Sequence, residues 1–175
     1  STTAVARLIN ATRRHVALIV DDSRMQRRLT RMTLEKWNFE VIEAADGIEA
    51  LDIARQRPID FILSDWMMPG MTGPELCAEI RALRNDAYTY FMLLASKSND
   101  GELAQGLVAG ADDFMRKPVN PNMLHARLSA GERVLAMQDD LLQKNRRVTE
   151  TLDQLYAAQE RIEKDLRAAG RFQQA

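Results

Sequence analysis

The stretch VALIVDDS, residues 16 to 23, places five apolar residues directly before two adjacent aspartates and a serine. A short apolar run that is rich in branched side chains and lacks polar alternation is typical of a strand covered on both faces. Asp21 and Asp22 follow at the carboxyl end of this strand, and Ser23 can cap a helix that begins directly after them. The stretch therefore predicts a strand, an acidic turn and a helix, which is the repeating unit of a parallel α/β sheet.

The pattern of a strand followed by a helix recurs along the chain. Residues 59 to 63 and 91 to 95 predict two more buried strands, and residues 39 to 44 and 113 to 115 predict two weaker ones. Because parallel neighbours need right-handed crossover connections, we expect an open five-stranded sheet with helices on both faces. Four segments between the strands have apolar residues at helical spacing, which predicts one apolar face on each helix. These apolar positions are Met25, Leu29, Met32 and Trp37; Ile48, Leu51 and Ala54; Leu76, Ile80 and Leu83; and Leu103, Leu107 and Val108.

The composition fits one globular domain with an extension. Of the 175 residues, 46% are apolar and 28% are charged, and the formal net charge is -1, so we expect no nucleic-acid partner and no membrane partner. Cys77 is the single cysteine, which excludes an intramolecular disulfide. Residues 1 to 14 lack the apolar core of a secretory signal, and no apolar stretch reaches membrane-spanning length. We therefore expect a cytoplasmic protein.

The chain after Pro121 contains no further proline and predicts one long helix. A helix from about Met123 to the end would be roughly 80 Å long, so something outside the domain must cover most of it. An apolar row repeats at every seventh residue, and a companion row containing amide side chains lies beside it, which predicts a coiled coil with a second copy of the chain. The polar companion residues would fix the register and favour a parallel orientation. The two rows are Val134, Leu141, Val148, Leu155, Ile162 and Ala169, and Gln138, Asn145, Leu152, Gln159 and Leu166.

Chemically active residues follow the predicted strands. Asp65 comes after the third strand, Ser96 after the fourth and Lys117 after the fifth, and ligands of open parallel sheets bind beyond the carboxyl ends of strands. Carboxylates that meet there repel one another unless a cation lies among them, and Mg²⁺ prefers such hard oxygen ligands. Asp65 could then attack a phosphoryl group to form an aspartyl phosphate, while Lys117 supplies positive charge and Ser96 a hydrogen bond. The set predicts a magnesium-dependent phosphoryl-acceptor site.

These motifs together resemble the receiver domain of bacterial response regulators, the CheY-like family. The matching stretches are VALIVDDS at 16 to 23, ILSDWMMPGMTG at 62 to 73, LLASK at 93 to 97 and GADDFMRKP at 110 to 118. The resemblance covers roughly residues 15 to 130 and implies a flavodoxin-like, doubly wound sheet with the family's strand order 2-1-3-4-5.

The resemblance also implies a role for each site residue and the kind of partner. It implies that Asp65 is the phosphoacceptor, that Ser96 and Lys117 contact the phosphoryl group, and that Phe114 is the aromatic residue that turns inward when Ser96 is drawn to that group. The implied phosphoryl donor is a sensor histidine kinase or a phosphotransfer protein. The implied magnesium ligands are Asp21, Asp22, Asp65 and the main-chain carbonyl of Met67.

The domain organisation that we expect has three segments. Residues 1 to 14 form a lead-in, residues 15 to 130 the receiver, and residues 131 to 175 a coiled-coil stalk that continues the last receiver helix. The final stretch, DLRAAGRFQQA at 165 to 175, resembles the helix that leads into serine/threonine phosphatase domains of the SpoIIE type, and a diguanylate cyclase is the second output expected of such a stalk. We expect no output enzyme within the chain itself.

Two other functional classes remain open on the sequence. The first is a phosphohydrolase with an aspartyl nucleophile, although the compact nucleophile-x-acid motif of haloacid-dehalogenase-like enzymes is absent around Asp65. The second is a structural coiled-coil adaptor in which the acidic residues are vestigial. Saturable binding of magnesium and then beryllofluoride, lost in Asp65→Asn, would support the receiver. Turnover of diverse phosphoesters would support the phosphohydrolase, and no response would support the adaptor.

Overall fold

The computed structural model describes residues 13 to 83, 87 to 96 and 109 to 173. The strands are β1 Val16–Val20, β2 Glu40–Ala44, β3 Phe61–Asp65, β4 Tyr90–Ala95 and β5 Asp113–Arg116. The helices are α1 Arg24–Lys36, α2 Gly47–Gln56, α3 Gly73–Ala82 and α4 Pro121–Gln173. The predicted helix at Leu103, Leu107 and Val108 and the first twelve residues of the predicted lead-in lie outside the described residues. None of the described helices is both long enough and apolar enough to cross a membrane.

The five strands form one parallel sheet in the order β2-β1-β3-β4-β5. This confirms the predicted α/β class and the strand order that the family resemblance implies. β1 lies between β2 and β3. Its last residue, Val20, pairs with Ala44 of β2 on one side and with Ser64 of β3 on the other. The carboxyl ends of β1 and β3 are therefore adjacent, which brings the residues that follow them to one place.

The third strand lies two residues further along the chain than the sequence predicts. It ends at Asp65 instead of residue 63, because Asp65 still pairs with Leu94 and the Trp66 amide donates to the Leu94 carbonyl at 2.9 Å. The predicted strand start at Ile59 lies before the regular ladder, although Ile59 itself is buried. Asp65 is consequently held by the sheet itself.

Both faces of the sheet are covered by helices. On one face, strand residues such as Leu18 and Ile62 pack with α2 and α3. On the other face, residues such as Ile19 and Leu63 pack with α1 and the beginning of α4. This two-sided burial is the reason that the strand sequences lack polar alternation. The helix residues that complete the two cores include Ala50, Leu51, Leu76, Cys77 and Ile80 on the first face, and Leu34, Leu124 and Leu128 on the second.

The predicted apolar face of α1 is wrong for three of its four residues, while the fourth, Trp37, packs partly buried against the core. Met25 and Leu29 are 72% and 54% exposed, Met32 is exposed as well, and Leu34 is the buried residue of this helix. The inward side also carries Arg27, whose guanidinium donates to the main-chain carbonyl of Asp21 at 2.6 Å. The packing of Leu34 against strand residues and the ion pair of Arg27 with Glu43 on β2 therefore decide which side of α1 faces the sheet. Ile48, predicted on the apolar face of α2, is exposed too.

The chain divides into two compact units, Ser1–Leu135 and Ala136–Ala175. Within the first unit, the beginning of α4 packs against the sheet, and Leu124 and Leu128 are buried there. Val134, which the sequence predicts as the first residue of the coiled-coil row, instead packs partly buried against the core of this unit. The exposed apolar row of the second unit therefore begins at Leu141.

Gly131 allows α4 to approach the sheet closely. A Cβ atom at this position would lie 2.8 Å from Cε1 of Phe61 and 3.2 Å from ring atoms of Tyr90. Real Cβ atoms do not approach aromatic carbons this closely, so a larger residue must displace the helix or the rings.

We predict that Gly131→Ala destabilises the first unit by about 1–3 kcal/mol, because the added methyl overpacks a filled core. Urea denaturation followed by circular dichroism measures the loss. Gly170→Ala is the matched control, since nothing lies within 4 Å of a Cβ atom at Gly170, and it should leave the unfolding of the first unit unchanged. Equal stability of Gly131→Ala and the wild type would contradict the close approach.

His15 links the start of β1 to β3 and α4. Its Nδ1 atom lies 3.8 Å from a carboxylate oxygen of Asp60, and its Nε2 atom lies 4.0 Å from one of Glu132. The interaction with Asp60 raises the pKa of His15; burial opposes this, and the negative charge of Glu132 adds to it. The protonated imidazole is therefore favoured in the folded state.

A raised pKa in the folded state contributes stability that is complete below the unfolded pKa of about 6.5 and is lost as the pH rises through the folded value. We predict that His15→Asn destabilises the protein more at about pH 6 than at about pH 8. Unfolding midpoints in urea across this range measure the difference. A loss that does not change with pH would show that His15 contributes only by packing.

Candidate metal centre

Asp21, Asp22 and Asp65 meet at the carboxyl edge of the sheet, as the sequence predicts. One carboxylate oxygen from each residue lies within 4.8 Å of the other two. Asp21 is buried, Asp65 is partly buried and Asp22 is exposed. The pairing of β1 with β3 produces this arrangement, because the two acids after β1 and the acid that ends β3 face the same space. The site thus has a buried floor and one side that is open to solvent.

Lys117 joins the two less exposed acids. Its Nζ atom lies 3.2 Å from Oδ2 of Asp21 and 3.2 Å from Oδ1 of Asp65. The residue follows β5, where its main-chain amide donates to the Ala95 carbonyl at 2.7 Å, and the Lys117–Pro118 peptide bond is cis. A residue that follows the edge strand β5 thereby reaches across β4 to Asp21 after β1 and to Asp65 at the end of β3.

The charges at this site shift the pKa values of two groups. Burial raises the pKa of Asp65; Lys117 opposes this and the nearby Asp21 adds to it, so the net shift is upward. For Lys117, burial lowers the pKa, but the charges of Asp65 and Asp21 outweigh burial and raise it. The ammonium therefore stays charged and offsets part of the repulsion between the carboxylates.

Two local contacts orient Asp21. The Ser23 amide donates to Oδ1 of Asp21 at 2.9 Å, within the turn that leads into α1. Arg27, one turn into α1, donates to the Asp21 carbonyl, and its Nε atom lies 3.5 Å from a carboxylate oxygen of Glu43. Arg27 was not predicted from the sequence, because an arginine six residues after an aspartate belongs to no recognised motif. The position of its side chain depends on the fold, because Glu43 on β2 forms the ion pair that holds the guanidinium beside Asp21.

Gly73 is a second residue at this site whose role the sequence does not predict. A Cβ atom here would lie 2.5 Å from the main-chain oxygen of Asp65 and 2.7 Å from Cδ2 of Leu93. The Gly73 amide donates to the Trp66 carbonyl at 2.9 Å, and Thr72 caps α3 in a reciprocal capping box with Glu75. The start of α3 therefore packs directly against the end of β3. Gly73 lies within one of the matching motifs, but no local pattern states which atoms it must approach.

The remaining predicted site residues lie on or shortly after the strands β3, β4 and β5. Ser96 directly follows β4 and is exposed. Phe114 lies on β5, partly buried against the core on the α2 and α3 face. The side chain of Met67 is 61% exposed in the loop after β3, and Met68 is buried. The switch roles of Ser96 and Phe114 and the ligand role of the Met67 carbonyl stay predictions.

The donor set fits a magnesium ion. All three side chains offer hard carboxylate oxygens, and one side of the cluster is accessible to the water that Mg²⁺ retains in proteins. A single ammonium cannot neutralise three carboxylates, so a divalent cation has an electrostatic reason to bind here. Asp21, Asp22 and Asp65 are the residues that would hold it.

Comparison with known proteins gives a consistent result. A family model described as "Response regulator receiver domain" matches residues 17 to 129. The chain is 39% identical over 113 residues to the transcriptional regulatory protein ResD of Bacillus subtilis, a match that covers 65% of this chain and 46% of ResD. It is also 39% identical over 116 residues to the phosphate regulon transcriptional regulatory protein PhoB of Pseudomonas aeruginosa, covering 65% and 49%. The chain thus spans about half the length of these two relatives.

Solved structures resemble the same part of the chain. The Vibrio cholerae chemotaxis protein CheY4 superposes with a TM-score of 0.64 at 34% identity, covering 67% of this chain and 98% of that protein. A probable two-component system response regulator/GGDEF domain protein superposes with a TM-score of 0.65 at 32% identity, covering 70% of this chain and 50% of the other.

We predict that Asp22→Asn weakens Mg²⁺ binding roughly tenfold or more, because it removes one ligand charge; a tenfold loss corresponds to about 1.4 kcal/mol. Trp66, which is buried next to Asp65, provides a fluorescence signal for the titration. Asp52→Asn is the matched control, since Asp52 is an exposed carboxylate on α2. Equal affinities of Asp22→Asn and Asp52→Asn would contradict the assignment of the cluster as a metal site.

Proposed function

Because this chain belongs to the response regulator receiver domain family of two-component systems, we propose that it accepts a phosphoryl group on Asp65 and changes state when it does so. The single observation that carries the proposal is the contact of one ammonium, that of Lys117, with both Asp21 and Asp65. This contact places positive charge beside the carboxylate that would attack, within a cluster suited to magnesium.

The proposed chemistry is a direct transfer. A carboxylate oxygen of Asp65 attacks the phosphorus atom of a phosphohistidine, a P–O bond forms, and the P–N bond breaks with its electron pair going to the leaving imidazole. Lys117 stays protonated and contacts the oxygens of the transferred group. Mg²⁺ held by Asp21 and Asp22 would neutralise negative charge on those oxygens.

The phosphoryl donor and the mode of action that we propose are those of the family. Response regulators interact with sensor histidine kinases or phosphotransfer proteins, and we propose a donor of this kind here. Receiver domains are generally switches without an enzymatic output of their own. The present domain would therefore act through a change of shape.

The switch that we propose involves the ends of β4 and β5. Ser96, immediately after β4, would move to the phosphoryl group and donate a hydrogen bond to it, and Phe114 on β5 would then pack further inward. The neighbouring Asp113 lies 2.6 Å from an Nη1 atom of Arg127 on α4. Through this ion pair, a displacement of β5 would also displace α4, the helix that leads out of the receiver.

We propose that α4 carries the signal onward. Residues 15 to 130 would form the receiver, and residues 131 to 175 would pair with a second copy as a coiled-coil stalk that acts on an output domain or a partner protein. A phosphatase of the SpoIIE type and a diguanylate cyclase are the proposed outputs. The solved response regulator/GGDEF domain protein, of which this chain covers 50%, supports the diguanylate cyclase.

We predict that acetyl phosphate with Mg²⁺ phosphorylates the wild-type chain and that Asp65→Asn abolishes the reaction, because the amide is not a nucleophile for phosphorus. Intact-protein mass spectrometry and a phosphate-affinity gel measure the adduct. Asp52→Asn is again the matched control and should be modified at the wild-type rate. Modification that persists in Asp65→Asn would refute the assignment of the phosphoacceptor, and steady turnover without an adduct would favour a phosphohydrolase.

A further inference from the structure

The second unit of the chain exposes a regular apolar row. Leu141, Val148, Leu155 and Ile162 recur at intervals of seven residues on α4, and each of them is more than half exposed. A row of this length on a helix needs a partner surface, and a surface with the same heptad spacing fits it best. A second copy of this chain supplies that spacing.

Two rows flank the apolar row on the helix. Only one of them can join it to form the surface along which the two helices would pair, which we call the seam. The first consists of residues 137, 144, 151, 158 and 165 and includes Lys144 and Asp165. At the centre of a parallel pair in register, each of these charges would be buried against its own copy, and in an antiparallel pair it would be buried against an apolar residue. Both arrangements are unfavourable. Lys144 instead forms an ion pair with Asp140 at 3.0 Å on the helix surface. The second row, with Gln138, Asn145 and Gln159, is uncharged and therefore forms the seam.

We propose that two copies pair through this seam in parallel and in register, with the three amide residues each facing their own counterpart. This inference rests on the pairing proposed above; it agrees with the orientation that the sequence favours and adds which residue faces which across the pair. An amide side chain has both a donor and an acceptor, so two identical amides satisfy each other at a coiled-coil core. A buried amide that faces an apolar residue lacks a partner and is destabilising.

The positions of the amides exclude the other alignments. In an antiparallel pair, the companion row of one helix faces the apolar row of the other, so every amide meets an apolar residue; in the alignment with the longest overlap, Asn145 faces Ile162 and Gln159 faces Val148. A parallel pair shifted by one heptad places Asn145 against Leu152. Only the parallel pair in register gives each amide an amide partner.

Disulfide crosslinking of the full chain tests the orientation. Val148→Cys alone should form a crosslinked dimer under mild oxidation, because residue 148 of one chain faces residue 148 of the other in the proposed pair. The control is Glu150→Cys, which lies on the outer side of the helix. The crosslinked fraction of Val148→Cys should be roughly tenfold that of Glu150→Cys. Cys77 does not interfere, since it is buried and burial raises its pKa to about 11. Efficient crosslinking in a mixture of Val148→Cys and Gln159→Cys chains, without crosslinking of Val148→Cys alone, would establish the antiparallel pair and overturn the proposal.

The role of the amides needs its own test. Asn145→Leu, combined with the same cysteines, should strengthen the dimer measured by sedimentation, while crosslinks between residues 148 and 159 appear beside those between two copies of residue 148. An unchanged crosslink pattern in Asn145→Leu would show that the amide does not set the alignment. A chain that stays monomeric at every concentration would overturn both this inference and the proposed stalk. Phosphorylation of Asp65, assayed on the same samples with acetyl phosphate, would remain unaffected by that failure.

Discussion

The contact of Lys117 with Asp21 and Asp65 is the interaction on which the site depends. Three carboxylates lie within 4.8 Å of one another at the edge of the sheet, and their repulsion would separate them or protonate one of them if no cation were near. Lys117 reaches two of them at 3.2 Å. In the proposed reaction the same ammonium would contact a phosphoryl group on Asp65, so the group that stabilises the resting cluster would also favour the transfer.

The sheet makes this contact possible. β1 pairs with β3, and β4 and β5 continue the sheet on the far side of β3, so residues more than ninety positions apart in the chain reach one edge. Close packing then limits what else can move there. Gly73 brings α3 against the main chain of Asp65, and Arg27 holds the main chain of Asp21. The main chain at Asp21 and Asp65 is therefore closely packed, and the residues proposed to move, Ser96 and Phe114, lie after β4 and on β5.

The helix α4 serves each of the two units differently. In the first unit it packs on the sheet through Leu124 and Leu128, with Gly131 at the point of closest approach. In the second unit its apolar residues are exposed at heptad spacing. The first pattern stabilises a domain, and the second provides a surface for another helix. The heptad row read from the sequence alone did not separate these roles, because Val134 fits the repeat and yet packs on the core of the first unit.

The sequence by itself determined the five strands, the acids and the lysine that follow them, and the heptad rows, because each of these is written in residues that are neighbours in the chain. Strand ends and the family motifs were enough to bring Asp21, Asp22, Asp65 and Lys117 into one prediction. Only the tertiary structure decided which side of α1 faces inward, with Met25, Leu29 and Met32 left exposed, and which atoms Gly73, Gly131 and Arg27 approach. Those outcomes depend on how separate elements pack against one another in three dimensions, and local periodicity contains no information about such contacts.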